Sequence, residues 1–148
     1  MRRLAFPLIC ASLLAAGCGG GGGGKPLTRD EYATKADAIC AKYTQQTKAL
    51  ANPKSLSDLA DVADKTLPIL DHAITDLRKL KPPADEQSTV DQWLAQVDNL
   101  KGDLTTIRDK AKSNDIKGVQ AVVPQATQHN QQSNQLAAQL GMKVCNKN

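Results

Sequence analysis

Residues 28–148 are predicted to form an all-α domain, an up-down-up-down bundle of four helices. Three observations lead to it. Apolar residues recur at spacings of three and four along four separate segments. Breaker clusters (Asn52-Pro53, Lys81-Pro82-Pro83 and Ser113-Asn114-Asp115) separate those segments. No stretch alternates apolar and polar residues over a useful length, so no sheet is expected. Short connections between amphipathic helices make sequence neighbours antiparallel.

Thr28-Arg29-Asp30-Glu31 has the form of a capping box and opens helix one, which runs to about Leu50. Its apolar positions are Tyr32, Ala36, Ile39, Tyr43 and Leu50, with Cys40 at the edge of the stripe. Ser55 caps helix two, with Asp58 at the capping-box position. Leu56, Leu59, Ala63, Leu67, Leu70, Ile74 and Leu77 form its stripe, and Pro68 inside it is expected to kink the helix. Helix three runs from about Ala84 to Lys112. Val90, Trp93, Val97, Leu100, Leu104, Ile107 and Ala111 alternate three and four without a miss, and Trp93 is the large anchor. Helix four begins near Ile116, with Val119, Val122 and Val123 expected inward and a bend expected at Pro124. Gln125 to Gln135 is polar; Leu136, Leu140 and Val144 resume the apolar face, and Gly141 has the place of a C-terminal cap.

The N-terminal segment reads as an export signal. Met1-Arg2-Arg3 is charged, and Leu4 to Ala16 is an apolar run too short to span a bilayer, which needs about 20 residues. It closes on Leu14-Ala15-Ala16-Gly17-Cys18, small residues leading to a thiol, which resembles the bacterial lipobox; Ala15 stands where leucine is usual. On this reading residues 1–17 are a lipoprotein signal peptide and Cys18 carries acyl chains. The protein is then held to a lipid membrane on its extracytoplasmic face. The alternative is an ordinary secretory signal cut near Ala16 or Gly17. Gly19 to Gly24 is a run of glycines, and residues 18–27 form a tether that stands the domain off the surface by about 15 Å as a random coil. Two acyl chains suffice for stable anchoring, since each buried methylene contributes about 0.8 kcal/mol.

The whole chain is +4; without Arg2 and Arg3 it has 17 basic and 15 acidic residues, finely interspersed. No basic block marks a nucleic-acid footprint. Cys10 lies in the signal and Cys18 is the lipid acceptor, leaving Cys40 and Cys145, which in an exported protein are expected to pair. Two free thiols or a metal pair are the alternatives, though no CxxC and no nearby histidine supports a metal. In the bundle the start of helix one neighbours the end of helix four. Cys40 lies about 15 Å along helix one, so the bridge requires the tail after Gly141 to fold back, or helix four to end lower.

Few residues suggest chemistry. His72 and Asp76 share a face of helix two and could bind a metal or move a proton, but both lie off the apolar stripe and a solvated pair needs no function. His129, with Gln125, Asn130 and Ser133 nearby, is open to three readings: a buried polar layer setting register, a small-ligand site, or plain exposure. Asp58, Asp61 and Asp64 lack the glycine turn and terminal glutamate of a calcium loop. There is no Glu-x-x-His pair, haem-attachment motif, nucleophile elbow or phosphate loop. Trp93, Tyr32 and Tyr43 fall on helix stripes and read as core rather than as a carbohydrate platform.

Three patterns carry a family resemblance: Glu31-Tyr32 through Ile39-Cys40 to Tyr43; Leu80-Lys81-Pro82-Pro83 leading into Val90-Asp91-Gln92-Trp93-Leu94; and Leu140-Gly141 through Val144-Cys145. Together, over about residues 28 to 145, they resemble a group of small uncharacterised envelope lipoproteins of high-GC Gram-positive bacteria. The resemblance implies a helical domain with one disulfide on the outer face of the cytoplasmic membrane, and no reaction. The functional expectation is therefore a tethered, non-enzymatic module that binds an envelope protein or polymer or organises the envelope, without a cofactor. The alternative is a small-ligand or metal-binding lipoprotein using the polar layer around His129.

Overall fold

The computed structural model describes residues 25–147. The expected cleavage site, Cys18 and the glycine run lie outside the described residues. Four helices follow one another: α1 (Arg29–Lys48), α2 (Leu56–Arg78), α3 (Gln87–Lys112) and α4 (Ile116–Gln139). A short 3-10 turn, Cys145–Lys147, ends the domain, and there is no strand among the described residues.

The helix starts follow from local chemistry. Thr28 Oγ1 accepts from the Glu31 N–H at 3.3 Å while Glu31 Oε2 accepts from the Thr28 N–H at 2.8 Å, so both halves of the capping box form. Ser55 Oγ accepts from the Asp58 N–H at 3.1 Å, and Asp115 accepts from the Gly118 N–H at 2.8 Å after Asn114 turns the chain at φ 57°. Helix three starts later than expected. Residues 84–86 form a turn closed by the Glu86 N–H on the Pro83 carbonyl at 3.1 Å. Pro68 and Pro124 are exposed and their helices run on through them, so the carbonyl freed by each ring faces water.

Ion pairs mark the antiparallel register of α2 and α3. Arg78 meets Asp98, Lys101 meets Asp71, and Lys112 meets Asp64 at 2.7 Å, so numbers rise on one helix as they fall on the other. Asp64 of the acidic row thus pairs with a cation across the seam, while Asp58 accepts from the Lys54 N–H at 3.0 Å at the helix start.

The densest core lies at the end where α1 begins and α4 finishes. Tyr32, Ala36, Leu77, Val90, Trp93, Ala137, Leu140 and Met142 are buried together there. The opposite end packs on smaller residues, Ala60, Ala63 and Ala111, with Leu67. The inward line of α4 is Val119, Val122, Ala126, His129, Ser133, Ala137 and Leu140, spaced by three and four. Val123, expected inward, stands one position off that line and is 50% exposed, as is Ile116 at 55%.

The tail settles how Cys40 and Cys145 meet. Gly141 takes φ +81° and sits one residue past the C-cap. The Met142 N–H bonds to the Ala137 carbonyl and the Gly141 N–H to the Ala138 carbonyl, both at 3.0 Å, a Schellman closure that buries Met142. The chain then runs back along α1. Asp37 accepts three successive backbone N–H groups, from Lys143 at 2.7 Å, Val144 at 2.9 Å and Cys145 at 3.0 Å. Cys40 and Cys145 are joined in a disulfide, their Cα atoms 5.4 Å apart. Arg29 adds a bond to the Gln139 carbonyl and an ion pair to Glu86 at 3.2 Å. Helix α1 thus packs chiefly on α2 and on the tail.

Candidate binding cleft

Midway along the bundle, the helices leave an open cleft of about 400 Å³. Tyr43, Thr44 and Thr47 of α1 face it, with Ile69, Leu70 and Ala73 of α2. Trp93, Val97 and Leu100 come from the strong stripe of α3, and Asn130, Ser133 and Asn134 from the polar part of α4; both half-cystines also line it. Val97, Leu100 and Leu70 belong to apolar stripes, with Ile69 beside Leu70, yet all four are only half-buried where they face this space. The lining among the described residues contains no lysine, arginine, aspartate or glutamate.

The polar wall is ordered by its own bonds. Asn134 Nδ2 donates to Asn130 Oδ1 at 2.8 Å, and Ser133 is 5% exposed. On the α1 side, the Tyr43 hydroxyl donates to Asp76 Oδ2 at 2.7 Å. Lys79 donates to the other oxygen of Asp76 at 2.8 Å. The Lys79 bond, then the Tyr43 bond, hold the Asp76 carboxyl down at about 2. Asp76 therefore works with Tyr43 and Lys79; His72, which shares its helix face, is exposed on α2, in keeping with a solvated position.

His129 does not line the cleft. Its Nδ1 lies 2.7 Å from Asp103 Oδ2, and Asp103 is 7% exposed, so the two form a partly buried link between α3 and α4. Of its three sequence readings, the register-setting polar layer is the one this geometry fits. The polar groups of α4 that reach the cleft are Asn130, next to His129, and Ser133 and Asn134, about one turn further on. No group of three or more His, Cys, Asp or Glu side chains is placed to hold a metal among the described residues.

Two buried aromatic polar atoms have no protein partner among the described residues, Trp93 Nε1 and the Tyr32 hydroxyl. Tyr32 lies in the dense core away from the cleft, and burial, followed by the nearby Asp91 charge, pushes its phenol up to about 12. Trp93, 1% exposed, is part of the cleft wall.

Sequence reasoning missed Asp103 and Asp37 as structural partners. Asp103 gave a signal: it stands three residues after Leu100 and four before Ile107, on the inward face of α3. Asp37 gave none, since its partners lie 106 to 108 residues away. Comparison with protein-family models, curated proteins and solved structures finds no match.

Proposed function

We propose that this chain is an acylated lipoprotein of the outer face of the cytoplasmic membrane, whose four-helix domain is a non-enzymatic module that takes a small molecule into the cleft. The binding half rests on one observation: stripe positions on α2 and α3 line a cleft of about 400 Å³, within the roughly 300–1,000 Å³ of small-molecule sites. The tether half is supported by the charged start, the short apolar run and the small residues before Cys18. A cleft walled by alkyl, aromatic, amide and hydroxyl groups suits holding a molecule, and the one carboxylate at a lining hydroxyl, Asp76 on Tyr43, is held down at about 2 and is a weak base.

Cell fractionation tests the tether. Cys18→Ala is expected to move the protein out of the membrane fraction and abolish labelling by a fatty-acid precursor; retention of both ends the lipoprotein reading. A solvatochromic dye tests the cleft: its emission rises with the native protein and not with Ala73→Phe, which fills the space. A second reading, docking of an envelope protein, draws on the exposed Ile116 and Val123 of α4. It predicts that charged substitutions there abolish a co-purifying partner.

A further inference from the structure

We propose that the cleft takes a single-chain, uncharged amphiphile, with an alkyl body along α2 and α3 and an oxygen-bearing head (ester, amide or hydroxyl) at the α4 wall. The proposal rests on the reading of the cleft as a binding site and names what it binds.

Shape comes first. From Thr66 to Leu77 the lining spans about 16 Å of α2, and from Trp93 to Leu100 about 10 Å of α3, at 1.5 Å per residue. About 400 Å³ over that length is an elongated space of roughly 25 to 40 Å² in mean section, a shape that suits one alkyl chain laid along it. Ile69, Leu70, Val97 and Leu100 give its long walls an alkyl surface, which stabilises an apolar body by removing it from water.

Charge decides the head. The lining supplies no ionised group of either sign among the described residues, so a carboxylate, phosphate or ammonium drawn in would lose its hydration without compensation. Neutral polarity is present instead. Asn130, Ser133 and Asn134 both donate and accept, which suits an ester or a hydroxyl. The Trp93 Nε1–H is buried and lacks a protein acceptor among the described residues, so the ring serves the cleft as an apolar wall and the head's partners are the three α4 side chains. A tether at a membrane surface would place this slot beside a reservoir of such molecules.

Trp93 is the only tryptophan of the chain, so its fluorescence reports on the cleft. The full chain carrying Cys18→Ala, purified without detergent, is titrated with three probes that share a dodecyl-length tail. They are monododecanoylglycerol, dodecanoate and dodecyltrimethylammonium, at about pH 8, where the carboxyl is ionised. The neutral probe is expected to shift Trp93 emission and bind at least about tenfold more tightly than either ion. Asn130→Ala, checked for native helicity and followed by calorimetry, is expected to weaken the neutral probe several-fold, and undiminished binding overturns the placement of the head at the α4 wall. Ala73→Phe and Val97→Phe, each checked for native helicity and melting, are expected to abolish binding. Equal or tighter binding of either ion overturns the neutral class while leaving the cleft as a binding site. Failure of all three probes overturns both. Undiminished binding in a folded cleft-filling variant places the probe elsewhere and overturns the proposal.

Discussion

Asp37→Ala removes the clamp that holds the C-terminal tail against α1, and its cost can be worked from three bonds. The Lys143 N–H on Oδ2 is exposed, so water replaces that bond at little loss. The Val144 and Cys145 N–H groups on Oδ1 are part-buried, and Cys145 itself is 3% exposed. Hydrogen bonds to a charged group contribute about 1.5–3 kcal/mol each. Taking the low end for two partly solvated bonds, Asp37→Ala should destabilise the oxidised domain by about 3 kcal/mol. Asp37→Asn keeps the oxygen that serves Val144 and Cys145 and loses the charge, so about 1 kcal/mol is expected. The disulfide links the tail in the unfolded chain as well as the folded one, so it cancels from the comparison. Urea denaturation of the three proteins gives the ranking, and amide exchange should show protection lost first at residues 143–145 in the alanine variant. Equal stability of Asp37→Ala and Asp37→Asn, or a loss below about 0.5 kcal/mol for both, would refute the clamp.

Reduction of the Cys40–Cys145 bridge, whose ends are 105 residues apart, should lower stability by about 4–5 kcal/mol on the chain-entropy model, read as a drop in melting temperature; an unchanged curve with two titratable thiols before reduction would contradict the bridge. His129→Ala leaves buried Asp103 without its partner and should cost about 2–3 kcal/mol in chemical denaturation while leaving cleft binding intact; loss of binding with unchanged stability would return His129 to the site. Tyr32 is stabilising as a neutral phenol: its value is raised from 10.0 to about 12 on folding, so its contribution is whole below pH 10 and is lost as pH climbs toward 12. Alkaline absorbance titration of a Tyr43→Phe variant should find that high phenol and stability falling with it; ionisation near 10 in folded protein would contradict its burial.

The helices were legible because their signals are local. The Val90-to-Ala111 stripe, the Thr28–Glu31 box and Gly141 each act within a turn or two of chain, and each stands where periodicity and capping chemistry put it. The start of α3 was misplaced by a few residues because Pro82-Pro83 ends one element without specifying where the next begins. The rotation of α4 was not legible: its polar stretch blurs the apolar face, so Val123 looked as good an inward residue as Val122. His129 drew attention as a histidine. What the fold does with it depends on Asp103 across the helix seam, a partner no local pattern names. The cleft is harder still to see in a sequence. Trp93, Val97 and Leu100 read as core, and only the relative placement of four helices shows that part of this stripe faces open space.

Intact mass of the protein drawn from its own membranes, native and denatured, with and without reductant, bears on tether, bridge and cleft together. The expected denatured mass is a chain starting at Cys18 plus acyl groups, gaining two hydrogens on reduction. The expected native spectrum carries one further neutral amphiphile per chain, lost in Ala73→Phe. A mass without acyl groups would make this a free secreted domain. A native spectrum with no bound molecule would leave the cleft without the role assigned to it.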